Sequence, residues 1–145
     1  MSDLKSVQLG IKKTLILKKG EKMKFFTHTI SRLLYAIPFL VFGVNHIVNA
    51  QAVKEQVPSW IPGDKILWVY FTGVCLIAAS LALLFKKYGP LAGKLLALMI
   101  IIFLVTIHAP EIPSPEAISN LLKDMALVGA ALAFSGMLED EGGKE

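Results

Sequence analysis

Ile66–Phe85 reads ILWVYFTGVCLIAASLALLF, and this stretch decides the fold. It carries no Asp, Glu, Lys or Arg. A helix needs roughly 20 apolar residues to cross a hydrocarbon core about 30 Å thick. Two further runs of near-spanning length flank it, Leu33–Val48 and Leu91–Ile107. A chain of 145 residues cannot bury three such helices in a water-soluble core, so lipid must cover them. A weaker fourth run follows at Ala117–Leu138. The sequence predicts an all-α integral membrane protein, a four-helix bundle with a Pro/Trp-rich outer loop after the first span.

Composition agrees with that reading. The hydrophobic fraction is 54% and the mean hydropathy +0.61, above an ordinary soluble domain. The net charge is +4, but the distribution of the charge matters more than its sum. Lys5, Lys12, Lys13, Lys18, Lys19, Lys22, Lys24 and Arg32 all precede the first apolar run. That placement fits a topology signal and contact with anionic lipid headgroups. No aromatic residues interleave usefully with the lysines, so nucleic acid is not an expected partner. Cys75 stands alone in an apolar run, which excludes an intrachain disulfide and a C-x-x-C redox pair.

Residues 1–29 read as a basic tail with an apolar patch at Leu15–Leu17, either a short interfacial helix or disordered. Met23-Lys24-Phe25-Phe26 also reads as a natural membrane-protein start, which would place the residues before it upstream of translation. Residues 30–138 form the transmembrane domain, and 139–145 an acidic tail. The first span, about Ile30–Asn49, should kink at Pro38. Ala50-Gln51-Ala52 offers a small-x-small cleavage site, so a signal peptide is the competing reading. The Asn45-His46 pair and the length of the run favour a retained helix.

Val57-Pro58-Ser59-Trp60-Ile61-Pro62 cannot be regular helix, because each proline lacks a backbone donor and restricts the residue before it. Pro58, Trp60 and Pro62 are expected to build a stiff loop on the membrane surface. In the second span, Cys75/Ala79 and Ala78/Ala82 are small pairs that allow close helix approach. Lys86-Lys87-Tyr88-Gly89-Pro90 reads as a basic turn, and Pro110, Pro113 and Pro115 punctuate a short acidic loop. Basic residues crowd the N-terminal segment and the 86–94 turn. The positive-inside bias then puts both termini in the cytoplasm of a multi-pass protein of the bacterial inner membrane.

This topology collects the polar residues at one end. Asn45 and His46 end span 1, Tyr70 and Thr72 begin span 2, Thr106 and His108 end span 3, and Asn120, Lys123 and Asp124 begin span 4. Ionisable groups within spans usually face a bundle interior or a wet cavity. The expected ligand-binding residues are Asn45, His46, Trp60, Tyr70, Thr72, His108 and Asp124. The plainer alternative has the histidines reach the interface, Lys123 snorkel and Trp60 anchor the headgroup layer. No metal site is assigned, since neither H-x-x-x-H nor E-x-x-H occurs. No nucleophile motif or phosphate loop occurs, so no catalytic residue is assigned.

Phe42-Gly43-x-x-His46, Val57-Pro58-Ser59-Trp60-Ile61-Pro62 and Tyr70-x-Thr72-Gly73, followed by a basic turn and an aliphatic span, resemble the DoxX-like membrane proteins. The resemblance covers about residues 30–112. It implies a four-helix membrane bundle. It also implies a link to redox systems, since the family takes its name from a small subunit of a thiosulfate:quinone oxidoreductase. A distant eukaryotic branch assists receptor assembly.

The leading expectation is an accessory or quinone-facing subunit of a membrane redox system. A neutral imidazole of His46 or His108 would donate to a quinone carbonyl, with Trp60 over the ring. No other cofactor is assigned, and any redox step needs a partner subunit or bound cofactor. The alternative is a non-catalytic assembly protein, acting on a partner or as a homo-oligomer. A small-molecule transporter ranks third, because no acidic residue lies mid-span in spans 1–3 to couple protons.

Overall fold

Helix-forming aliphatic runs, interrupted where proline and glycine cluster, make most of the described residues helical. The computed structural model describes residues 2–111 and 114–142, and among them no strand occurs. The elements are α1 (Ser2–Val48), α2 (Ala50–Val53), α3 (Lys65–Leu84), α4 (Gly89–Phe103) and α5 (Pro115–Gly142). A 3₁₀ turn, Lys54–Gln56, follows α2. A π-helical turn, Leu104–His108, and a second 3₁₀ turn, Ala109–Glu111, follow α4. Among the described residues four helices are long and apolar enough to cross a membrane. Their candidate spans are Val7–Val48, Lys65–Leu84, Gly89–Ile107 and Pro115–Asp140.

The chain divides into two units, Met1–Leu34 and Tyr35–Glu145. In the first, residues 2–34 are helical throughout, rather than a short helix or a coil. Thr14 Oγ1 donates to the Gly10 carbonyl at 3.0 Å and Thr27 Oγ1 to the Met23 carbonyl at 2.9 Å. The helix therefore absorbs its hydroxyls locally. Leu15, Ile16 and Leu17 are exposed beside the lysines.

In the second unit, α1 continues through Pro38 to Val48. Small residues set the helix contacts. A Cβ on Gly43 would stand 2.8 Å from the Gly73 carbonyl oxygen, and one on Gly73 would stand 3.0 Å from His46 Cβ. Only hydrogen at both positions lets the backbones of α1 and α3 approach this closely. The close approach of α1 to α3 thus falls at Gly43 and Gly73. Cys75, Ala78, Ala79 and Ala82 instead line a groove of about 620 Å³ between α3 and α4.

α4 meets α5 through Gly93, where a Cβ would lie 2.9 Å from the Ala131 carbonyl oxygen. Ser135 Oγ, buried, donates to the Pro90 carbonyl at 2.8 Å, and Lys94 pairs with Glu139 at 2.6 Å. Glu139 belongs to the segment read as an acidic tail, yet α5 runs through it. Tyr35 closes α1 onto α5: its hydroxyl donates to the Leu127 carbonyl at 2.8 Å and its ring stacks on Phe134.

Periodicity explains which residues turn inward. The buried positions of α3 are Val69, Gly73, Leu76, Ser80 and Leu83, a stripe repeating every three or four residues. On α5, Ala117, Asp124, Ala131 and Leu138 are buried at heptad spacing. The outward positions are aliphatic: Val74, Leu81, Leu91, Leu95, Leu98, Leu122 and Leu132 are all exposed.

Candidate functional site

The local sequence between α2 and α3 builds a stiff wall. Pro58 and Pro62 exclude helix, and Gly63 takes φ +91°, a backbone conformation that strains residues bearing a Cβ. Asp64 Oδ1 accepts from the Ile66 amide at 3.0 Å, which caps α3 at once. Trp68, one turn into the helix, donates its indole N–H back to the Pro62 carbonyl at 2.9 Å. Trp68 thereby ties the loop down, and its ring meets Phe71 edge-on with centroids 6.4 Å apart.

Behind this wall lies a cavity of about 390 Å³, a size suited to a small ring or drug-sized ligand. The loop supplies Val57, Pro58, Trp60, Ile61 and Pro62. α3 supplies Trp68, Val69, Phe71 and Thr72, and α4 supplies Met99, Ile102 and Phe103. The π-helical turn adds Thr106 and Ile107, and α1 adds His46. The π geometry is seen in the Ala109 amide donating to the Leu104 carbonyl, five residues back. Such turns re-aim the side chains that follow an α-helix.

Of the residues expected to bind a ligand, His46, Trp60 and Thr72 line this cavity, as do Pro58 and Pro62 of the expected loop. Asn45, Tyr70 and Asp124 do not. Asn45 is exposed and accepts from Asn49 Nδ2 at 2.7 Å. Tyr70 is exposed on the flank of α3, about 100° around the helix from Val69 of the buried stripe. Asp124 is buried in the stripe of α5, at 6% exposure. The side chains of His108 and Glu111, and Pro113 as a whole, lie outside the described residues. Trp68 and Thr106 are additional wall residues. Their signal was a tryptophan one turn after a helix cap, and a hydroxyl at the end of an otherwise aliphatic span.

Four of the lining residues carry hydrogen-bonding groups, on a wall that is almost wholly apolar, and their chemistry differs. His46 Nδ1 lies 2.8 Å from the Phe42 carbonyl oxygen. A carbonyl only accepts, so Nδ1 carries the proton, and Nε2 of the neutral ring is an acceptor. This reverses the expected direction of the bond, in which His46 donates to a ligand carbonyl. Thr106 Oγ1 spends its proton on the Ile102 carbonyl at 2.7 Å and keeps lone pairs. Thr72 is within reach of the cavity as donor or acceptor, and the Trp60 indole is a donor. Among the described residues no group of three His, Cys, Asp or Glu side chains stands close enough to hold a metal ion.

Gly73 also fixes His46. The histidine lies one turn beyond Gly43 on the α1 face that meets α3, and its Cβ packs where a Gly73 side chain would be. The motif Phe42-Gly43-x-x-His46 is thus a contact, a ring and the carbonyl that orients that ring.

No curated protein and no solved structure matches this chain. One family model, described as a domain of unknown function (DUF8561), matches residues 35–110. That segment is more than half of the chain and contains every residue of the cavity wall, from His46 to Ile107. The chain belongs to the DUF8561 family.

Proposed function

We propose that the protein is a four-helix membrane bundle whose loop-end cavity holds the ring of a quinone-type ligand. In this reading it is a small, quinone-facing accessory subunit, of the kind the DoxX-like resemblance implies. It is a multi-pass protein of the bacterial inner membrane with both termini cytoplasmic. Outward-facing aliphatic side chains on α3, α4 and α5 support the membrane setting. The observation that carries the ligand is the cavity itself: a slot walled by Trp60, Trp68, Phe71 and Phe103, with hydrogen-bonding groups at His46, Thr72 and Thr106. A flat, apolar ring with polar oxygens at its edge meets both requirements. Electrons come from a partner subunit or a bound cofactor, since the ring-binding site itself supplies no carrier.

Both tryptophans of the chain line the cavity, so intrinsic fluorescence reports on it directly. Titrating the detergent-purified protein with a tail-less dimethoxy-methyl-benzoquinone should give saturable quenching. Thr72→Phe, which fills the slot, should remove the saturation. Quenching that stays linear with concentration in both proteins reports collision in the micelle and refutes the site. For orientation, Ser59→Cys in a Cys75→Ala background should react with an impermeant thiol reagent in intact cells, and Lys87→Cys should not. The reverse pattern inverts the topology.

A specific observation favours a second reading, that of an assembly protein. Gly129, Ala133 and Gly136 are exposed on one face of α5, and a Cβ at either glycine meets nothing within 4 Å. That face would admit a partner helix at close range. Disulfide or photochemical cross-linking from Gly136→Cys to another membrane protein, without any ring binding, would favour this reading over the first.

A further inference from the structure

Three side chains of the cavity wall, Phe71, Met99 and Ile102, also line the groove of about 620 Å³ between α3 and α4, so the two spaces are continuous. We propose that this groove holds the hydrocarbon tail of the molecule whose ring occupies the cavity. The ligand is then a lipid-tailed ring drawn from the bilayer, and not a small ring taken up from water. This rests on the reading of the cavity as a ring-binding site.

The dimensions of the groove limit what can fill it. On α3 it runs from Phe71 to Ala82, and on the antiparallel α4 from Ile102 back to Leu91. Either stretch is about 16 Å long at a rise of about 1.5 Å per residue, roughly half of a hydrocarbon core about 30 Å thick. About 620 Å³ spread over that length is a mean section of about 40 Å², about half or less that of an α-helix about 10–12 Å across. A partner helix would rest on the rim and leave the floor empty, whereas a single hydrocarbon chain reaches it. The floor is made of short side chains, Ala79 and Ala82 from α3 and the buried Ala92 from α4. No charged side chain lines the groove, and among its described lining residues the Tyr88 hydroxyl is the one side-chain oxygen or nitrogen. A tail with polar groups along its length would leave them unpaired there.

Lipid tails are as apolar as the leucines of the rim, so the groove selects its occupant by shape and connection rather than by hydrophobicity. The connection is the wall shared with the cavity. A hydrocarbon substituent on a ring seated against Phe71 and Ile102 finds the groove as its direct continuation. The rim also leaves a way in. Phe71, Leu91, Leu95 and Leu98 are all exposed, so the groove is open along its side. A ring arriving from the bilayer brings its tail in laterally and does not have to thread it under the Pro/Trp loop.

The test compares a decyl-tailed with a tail-less dimethoxy-methyl-benzoquinone by tryptophan quenching of the full-length protein in lipid nanodiscs, where no detergent chain competes for the groove. Ala78 is exposed and lines the groove, so Ala78→Phe fills it without entering the core. That variant should weaken the tailed ligand about fivefold and leave the tail-less ring within about twofold. Val74→Phe, at an exposed position away from the groove, should change neither. Partition into the bilayer is common to all the proteins and cancels in these comparisons. A tailed affinity unchanged in Ala78→Phe leaves the groove to ordinary acyl chains and overturns the proposal, while the ring site stands. If neither ligand quenches the wild-type protein saturably, the ring site and its tail groove fail together. A second measurement needs no variant: the decyl-tailed ring bearing a diazirine at the tail's end is photolysed with the wild-type protein. Adducts should fall within 75–82 and 91–98 and be competed away by the unlabelled tailed ligand. Adducts that are not competed, or that fall on the outward Leu122 and Leu132 of α5, overturn the proposal.

Discussion

The two ends of α4 pack by opposite rules. At its beginning, Gly89, Ala92 and Gly93 are buried, α5 comes into near-backbone contact at Gly93, and Ser135 bonds to Pro90 across the seam. At its end, Met99, Ile102 and Phe103 are large, the helix widens into a π turn, and space of about 390 Å³ remains beneath the Pro/Trp loop. Small residues bring the beginning of α4 against α5 while leaving a groove of about 620 Å³ on its α3 side, and large residues under a stiff loop wall the cavity at its other end. The lesson is that the void is built: its walls are aromatic, its loop is pinned by the Trp68–Pro62 bond, and its polar groups are oriented by neighbouring carbonyls.

Substitutions at the two ends should separate along this line. The largest effect is expected from Gly73→Val. The added atoms meet the Gly43 carbonyl oxygen and His46 Cβ, each 3.0 Å from the new Cβ, and neither neighbour is the free end of a flexible chain. Overpacking of this kind costs about 1–3 kcal/mol and should also abolish ring binding by displacing His46. Gly93→Val should lower the thermal midpoint in detergent by a similar amount, yet leave ring affinity within about twofold, because its clash is with Ala131 and Ser135 at the seam with α5. Equal loss of binding in both variants would erase the distinction between the ends.

Tyr35→Phe removes the 2.8 Å bond to the Leu127 carbonyl while keeping the Phe134 stack, and should cost about 1 kcal/mol with no effect on the ring site. The smallest effect belongs to Lys94→Ala. Its partner Glu139 is half exposed, as Lys94 is, and such pairs contribute about 0–1 kcal/mol. A double-mutant cycle with Glu139→Ala measures the coupling. A value well above that range would mean that the seam with α5 relies on charge rather than on small-residue packing.

Much of this was legible in the sequence. The runs at 66–85 and 91–107 carry helices because hydropathy and length leave no other structure. The Pro58–Pro62 segment stands as an irregular wall because its prolines allow nothing else. What periodicity could not supply was facing. Asn45 and His46 are adjacent in sequence and about 100° apart on the helix, and only the Gly43–Gly73 contact shows which of them turns toward α3. Tyr70 and Thr72 separate in the same way, and Asp124 falls on the buried heptad stripe of α5 rather than on the cavity wall. The π turn was invisible for a different reason. Its register depends on how α4 ends against its neighbours, and LVTIH reads equally well as ordinary α-helix. The tautomer of His46 was likewise hidden until the Phe42 carbonyl could be seen beside it.

The most direct measurement is photolabelling of the wild-type protein with a tail-less azido-benzoquinone, followed by peptide mass spectrometry. The account predicts adducts within 57–72 and 99–107, competed away by excess unlabelled ring. Uncompeted adducts spread over 15–26 and the outward face of α5 would contradict it.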